Sequence, residues 1–269
     1  MRLYELILAD YVNFDRNDEV LLNLGFNLSE TGRPQEAEQR YLMLLDRFRR
    51  SRFAADAAVM LGDLYFDVVG NLAKARAQYE WAAKSSSARI QTYAVYKLAW
   101  CDFNVGNYEG AREKLQATVS MAEQQKNDRV FTDLKTESLS DLVRVFVELK
   151  RPADAVDYFK HHAPSERQVD LLIRLADGLQ SGGFHEPAVG LYLQLITSHA
   201  VDRRMPMLHM AAIRSFEKLK QRDQVKTLAS SLGRLLMPQS AWMKANHVDA
   251  ALVLETLASS EESLRIVVT

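Results

Sequence analysis

A single cysteine, Cys101, stands in 269 residues, which excludes an internal disulfide framework and a multi-thiolate metal site. Six prolines and eleven glycines leave few places for tight turns, which disfavours an all-β fold. Long apolar runs are also missing. The opening MRLYELILADYV is broken by Arg2, Glu5 and Asp10, so it is neither a signal-peptide core nor a membrane span. No direct membrane insertion is expected. Neither charge sign dominates: 34 Lys and Arg face 35 Asp and Glu, a formal charge of −1. Gripping a phosphate backbone needs concentrated positive charge, so no nucleic-acid partner is expected.

Catalytic motifs are lacking too. The chain holds no GxxxxGK or GxGxxG phosphate cradle, no GxSxG elbow and no HExxH helix. Adjacent His161 and His162 point to different sides of a helix and fit a surface pair better than a metal site. His185 falls where a packing aromatic is expected. Cys101 has no nearby histidine to act as base, so it reads as a small buried hydrophobe. Asp102 is expected at the edge of the packed helices. Asn27-Leu28-Ser29 matches a glycosylation pattern but lies on a helix facing its own neighbours. The expectation is a non-enzyme with no cofactor and no metal.

What the chain does have is a repeat. Leu24-Gly25, Gly32, Ala37 and Tyr41 form one constellation; Leu61-Gly62, Gly70, Ala75 and Tyr79 form the next. Leu98-Ala99, Gly106, Ala111 and Leu115 follow, and Leu175-Ala176, Gly183, Ala188 and Tyr192 repeat it again. Weaker copies run through Leu142, Phe146, Ala155 and Phe159, and through Phe216, Val225 and Leu232. The anchors Ala37, Ala75, Ala111, Ala155, Ala188 and Val225 are spaced by 38, 36, 44, 33 and 37 residues. That scatter surrounds the tetratricopeptide length of about 34 residues. The pattern resembles the tetratricopeptide repeat (TPR) family.

Each unit reads as two amphipathic helices, and one pair alone cannot bury both faces. The expected fold is all-α, a right-handed superhelical solenoid of about six TPR-like pairs in one domain over residues 1–269. Pairs are expected near 18–48, 54–84, 88–124, 129–162, 167–198 and 205–235. Residues 1–12 are an orphan helix, and 240–259 a terminal capping helix. The 44-residue interval holds the polar stretch AEQQKNDRVFTDLKTES, which lengthens a helix or a loop there.

Two segments carry a narrower likeness. AADAAVMLGDLYFDVVGNLAKARAQYEWAA (54–83) and YAVYKLAWCDFNVGNYEGAREKL (93–115) resemble TPR proteins of adventurous gliding motility in deltaproteobacteria. The matching residues are Leu61, Gly62, Tyr65, Phe66 and Asp67, then Tyr96 to Cys101. The resemblance implies a non-enzymatic bacterial scaffold in a multiprotein machine, periplasmic or bound to the cell envelope, with a cytoplasmic location as the alternative.

In such a stack the first helix of each pair lines the concave surface. The register places Phe26, Asp63, Phe66 and Asp67 there, then Tyr96, Trp100 and Phe103, and finally Arg144, Asp177 and Arg214. Tyr93, Ser140, Gln180 and Met210 share that expectation. Aromatics with Arg dominate interface hot spots, so a protein or peptide partner is expected here. Apolar residues would lie over the rings and basic ones near Asp63 and Asp67. Two readings of the rings stay open, groove or core. A regulatory module sensing a small ligand or peptide signal is the alternative function, and self-association through the solenoid ends a further expectation.

Overall fold

Small anchors set how each helix pair packs. In the computed structural model, which describes residues 1–125 and 128–246, Ala37, Ala75, Ala111, Ala155 and Ala188 are completely buried. Four residues on, one turn along the same helix face, Tyr41, Tyr79, Leu115, Phe159 and Tyr192 are buried as well. An Ala leaves room for the facing helix, and the large side chain one turn later fills the space beside it.

The helices follow the repeats. After α1 (Arg2–Asp10) come α2 (Asn17–Glu30) with α3 (Pro34–Arg47), then α4 (Ala54–Asp63) with α5 (Leu72–Ala82). Next are α6 (Ala88–Asn104) with α7 (Tyr108–Glu123), and α8 (Arg129–Leu149) with α9 (Pro152–His162). The last pairs are α10 (Ser165–Ser181) with α11 (His185–Ser198), and α12 (Met205–Lys218) with α13 (Arg222–Leu235), before α14 (Ala241–Asn246). Every regular element among the described residues is helical. Of the span expected for the capping helix, residues 247–259 lie outside the described residues, and α14 occupies Ala241–Asn246.

Turns between partners need a left-handed residue. Gly32, Gly70, Gly106 and Gly183 supply it, with φ of 72°, 71°, 78° and 80°. The two weak repeats lack that glycine, and Lys150 and Lys220 take the same conformation at φ 57° and 59°. In the second repeat α4 runs straight into a π-helical segment, Leu64–Val69, which Gly70 ends.

The chain divides into two compact units, residues 1–138 and 139–269. In the first, α2 packs on α3, α4 on α5 and α6 on α7, while the first helix α4 neighbours both α2 and α6. One apolar core runs from Leu21 to Cys101 through these helices. Helix α1 packs on α2 yet has no buried residue. In the second unit α10, α11, α12 and α13 pack in succession. Trp242 of α14 is fully buried there, and its indole N–H donates to the Asp202 carbonyl at 2.8 Å. The 44-residue interval is taken up by α8, at 21 residues.

Candidate partner-binding groove

The residue after the small one in a first helix reaches the surface. Phe26 and Asp177 are exposed at this position, and Asp63 and Trp100 are half-buried. Behind it the second helix presses close. A Cβ built on Gly25 would stand 2.5 Å from the Tyr41 ring, and one on Gly62 would stand 2.6 Å from Tyr79. The phenols then reach past the backbone. Tyr79 donates to Asp63 at 2.6 Å, and Tyr192 donates to Asp177 at 2.7 Å in the second unit. Burial first, and the adjoining carboxylates second, push both phenols well above their ordinary range.

Asp63 and Asp67 were expected as bare acids on the rim. The structure instead brings Lys97 to both, at 3.1 Å and 3.4 Å. Tyr93 adds a donated bond to Asp63 at 3.3 Å. The Lys97 ammonium also lies 4.6 Å from the centre of the Phe66 ring, a cation–π contact. Lys97 is nearly buried. It lies one residue after Tyr96, in a stretch whose rings are its most conspicuous feature. The signal was present: Lys97 is one repeat after the acidic pair.

Of the rings expected in the groove Phe26 is exposed, while Phe66, Tyr96, Trp100 and Phe103 are half-buried and stand between the two readings left open. Trp100 meets Phe103 edge-to-face at 5.5 Å, and Phe103 meets Tyr108 at 5.3 Å. Tyr96 pairs with Tyr93 at 6.3 Å. The large fully buried rings are others, among them Tyr41, Tyr79, Phe146 and Phe159.

Farther toward the start of the same helices is a depression of about 390 Å³. Val59 and Met60 of α4, Ile90 and Tyr93 of α6, and Phe131 and Leu134 of α8 form its apolar lining. Asp56, Asp133, Glu137 and Arg89 stand at its edge. Arg89 pairs with Asp128 at 3.4 Å, and Asp133 with Arg129 at 3.6 Å. Asp56 has no ion pair among the described residues, and burial raises its carboxyl above the usual carboxylate range. Helical spacing from Asp63 back to Asp56, and from Lys97 back to Tyr93 and Arg89, puts this depression on the same face as the acidic pair. Of these residues only Tyr93 is expected on this face from the sequence, because Val, Met and Ile at helical spacing read as core.

Several expectations change. Asp102 is not at an edge: it is buried, held by Arg76 of α5 and Lys114 of α7 at 2.6 Å each. Burial raises its pKa, but these two donated bonds outweigh it and hold the carboxyl below its ordinary range. Met210, expected on the concave face, is buried. Gln180 is turned inward, donating to the Ala211 carbonyl and the Ser215 hydroxyl at 2.6 Å each. Cys101 is buried, and burial raises its thiol. His161 is exposed while His162 stacks on Tyr158 at 4.3 Å. Arg144 and Arg214 are exposed, and with Asp177 they belong to the second unit. No group of three or more metal-ligating residues occurs among the described residues, nor is any helix there long and apolar enough to cross a membrane.

No protein-family model matches the chain, and no curated protein matches it either. Solved structures do. A tetratricopeptide repeat protein from Parabacteroides merdae superimposes with a TM-score of 0.50 at 12% identity, covering 91% of this chain and 93% of that one. The apo form of RapI gives 0.49 at 12% identity, over 96% and 90%. Pseudomonas aeruginosa PilF gives 0.46 at 19% identity, over 91% and 98%. The first of these likenesses shows the fold alone: the chain has an all-α helical-repeat fold like that of a tetratricopeptide repeat protein.

Proposed function

We propose that the chain is a non-catalytic interaction module whose first-unit groove takes a partner segment presenting an apolar side chain beside a Lys or Arg. One observation carries this reading. The depression on α4, α6 and α8 is lined by apolar side chains, while Asp56 at its edge is half-buried with no ion pair among the described residues. A cation delivered there gains a carboxylate already partly stripped of water, and the apolar neighbour gains burial. Farther along, Phe66, Trp100 and Phe103 offer rings of the kind that anchor partners.

The test is a peptide panel in which an apolar residue and a neighbouring Lys are exchanged independently. Binding is expected to fall about tenfold when Lys becomes Gln and again when the apolar residue becomes Ser. Asp56→Asn should erase the Lys preference without changing the melt. Equal binding of Lys and Gln peptides would refute the reading.

A regulatory module for a small apolar ligand is the second reading, favoured by the volume of the same depression. It predicts a raised Tm with a small molecule and no peptide. The stretches 54–83 and 93–115 support an envelope-bound, periplasmic place in a gliding machine, against a cytoplasmic one; fractionation and a gliding assay of a deletion strain test this. Self-association through α1, which exposes Leu3, Leu6 and Tyr11, is tested by sedimentation.

A further inference from the structure

A second cleft, of about 330 Å³, lies between α1 and α3 with the start of α2 beside it. Leu8 and Val12 line one side, and Leu21, Met43 and Phe48 the other. Its polar groups are unusual. Arg40 and Arg47, seven residues apart on α3 and hence on one face, both open onto it. Neither makes an ion pair among the described residues. Glu36, one turn before Arg40, is held instead by two bonds from Arg33 at 2.7 Å. The Arg40 Nε–H is fully buried and donates to nothing.

Asn17 supplies the complementary group. It is 3% exposed, and its Nδ2 donates to the carbonyls of Tyr11 and Val12 at 2.9 Å each. Those two bonds fix the amide, because turning it over would lose both. Its Oδ1 is thereby directed away from them, buried and accepting nothing. A buried donor and a buried acceptor left unmatched each cost stability. Both line the same cleft, beside two guanidiniums and a single acid, Glu5.

We propose that this cleft binds a carboxylate carrying an apolar side chain and an adjacent N–H, the chemistry of an N-acylated amino acid or of the last residue of a peptide. The carboxylate meets Arg40 and Arg47, guanidiniums being suited to paired donation to a carboxylate. The N–H donates to Asn17 Oδ1, and the side chain lies against Leu21, Met43 and Phe48. Glu5 keeps the site from favouring multiply charged anions. The cleft uses no residue of the groove on α4, α6 and α8.

The experiment titrates the full chain with N-acetyl-leucine, its carboxamide, and a hexapeptide ending in free leucine, read by calorimetry. Saturable one-to-one binding of N-acetyl-leucine is expected, with the carboxamide about tenfold weaker or worse. Arg47→Gln should weaken it by a similar factor, and Leu8→Trp, which fills the cleft from α1, should abolish it; Asp56→Asn should leave it unchanged. Tighter binding of the hexapeptide identifies a chain end as the ligand, and equal binding a free small molecule; both support the site. If Arg47→Gln fails to fold, the carboxylate-to-carboxamide comparison on the natural chain decides. Non-saturating heats, or equal affinity for acid and carboxamide, would overturn the proposal and leave the cleft to water.

Discussion

Tyr79 occupies, against the backbone of Gly62, the space that any side chain there would need. Its ring carbon lies 2.6 Å from the point where a Cβ would stand, and its hydroxyl donates to Asp63 at 2.6 Å. The glycine and the tyrosine are one device: the first admits the ring, and the ring delivers a hydrogen bond to the groove face. Gly62→Ala is expected to destabilise the chain by about 1–3 kcal/mol through overpacking, despite the better helix propensity of Ala. Urea denaturation checks this, and an unchanged midpoint would show that Tyr79 can move aside.

Asp102 lies between two cations from different helices, and removing it strands both. Asp102→Ala is expected to cost about 3 kcal/mol, at the low end for a broken buried pair, since Arg76 and Lys114 keep some contact with water. Because its folded pKa lies below the ordinary carboxylate value, this stability is present above a pH of about 4 and lost as pH falls through the folded value. Acid titration of the natural chain and the variant should therefore converge at low pH.

His209 gives the second unit an acid weakness of another kind. It is buried, with Nδ1 donating to the Met205 carbonyl at 2.8 Å and Nε2 3.2 Å from the Ser231 hydroxyl. Burial lowers its pKa, and the bond to Met205 offsets this only in part. The folded state prefers the neutral ring, so stability is full above a pH of about 6.5 and declines below it as the unfolded chain takes up the proton. His209→Gln should flatten the dependence of Tm on pH between about 6.5 and 5; the same slope in both proteins would count against it.

Lys220 holds a left-handed turn where four other repeats use glycine. Lys220→Gly is expected to raise stability by about 1 kcal/mol, by removing the strain of a side chain at positive φ. The check is the thermal midpoint, and a lower Tm would mean that the flexibility gained by the unfolded chain outweighs the relief.

The repeat was legible because it is written in residues whose size matters at fixed spacing. Ala37, Ala75 and Ala111 announce close crossings, and Gly70 and Gly106 announce turns. The burial of Asp102 is not legible in the sequence for a definite reason. Its cations come from Arg76 on the helix before and Lys114 on the helix after, 26 and 12 residues away, and a repeat pattern does not reveal which side chains from neighbouring helices converge. The depression around Met60 and Ile90 is not legible because a half-buried apolar side chain and a fully buried one look alike in sequence. The π-helical segment at Leu64–Val69 left no sign beyond the glycine that ends it.

Helices that pack chiefly on their neighbours in the chain have a kinetic corollary. Pairing α6 with α7 closes a turn of three residues, and every other pair but α4 with α5 is joined as briefly or more so. Such short closures lose little chain entropy, and folds built from them form quickly. They also come apart in stages. Helix α1, which buries none of its residues, should open far more readily than α2 and α3 behind it, so its amide hydrogens should exchange with deuterium first.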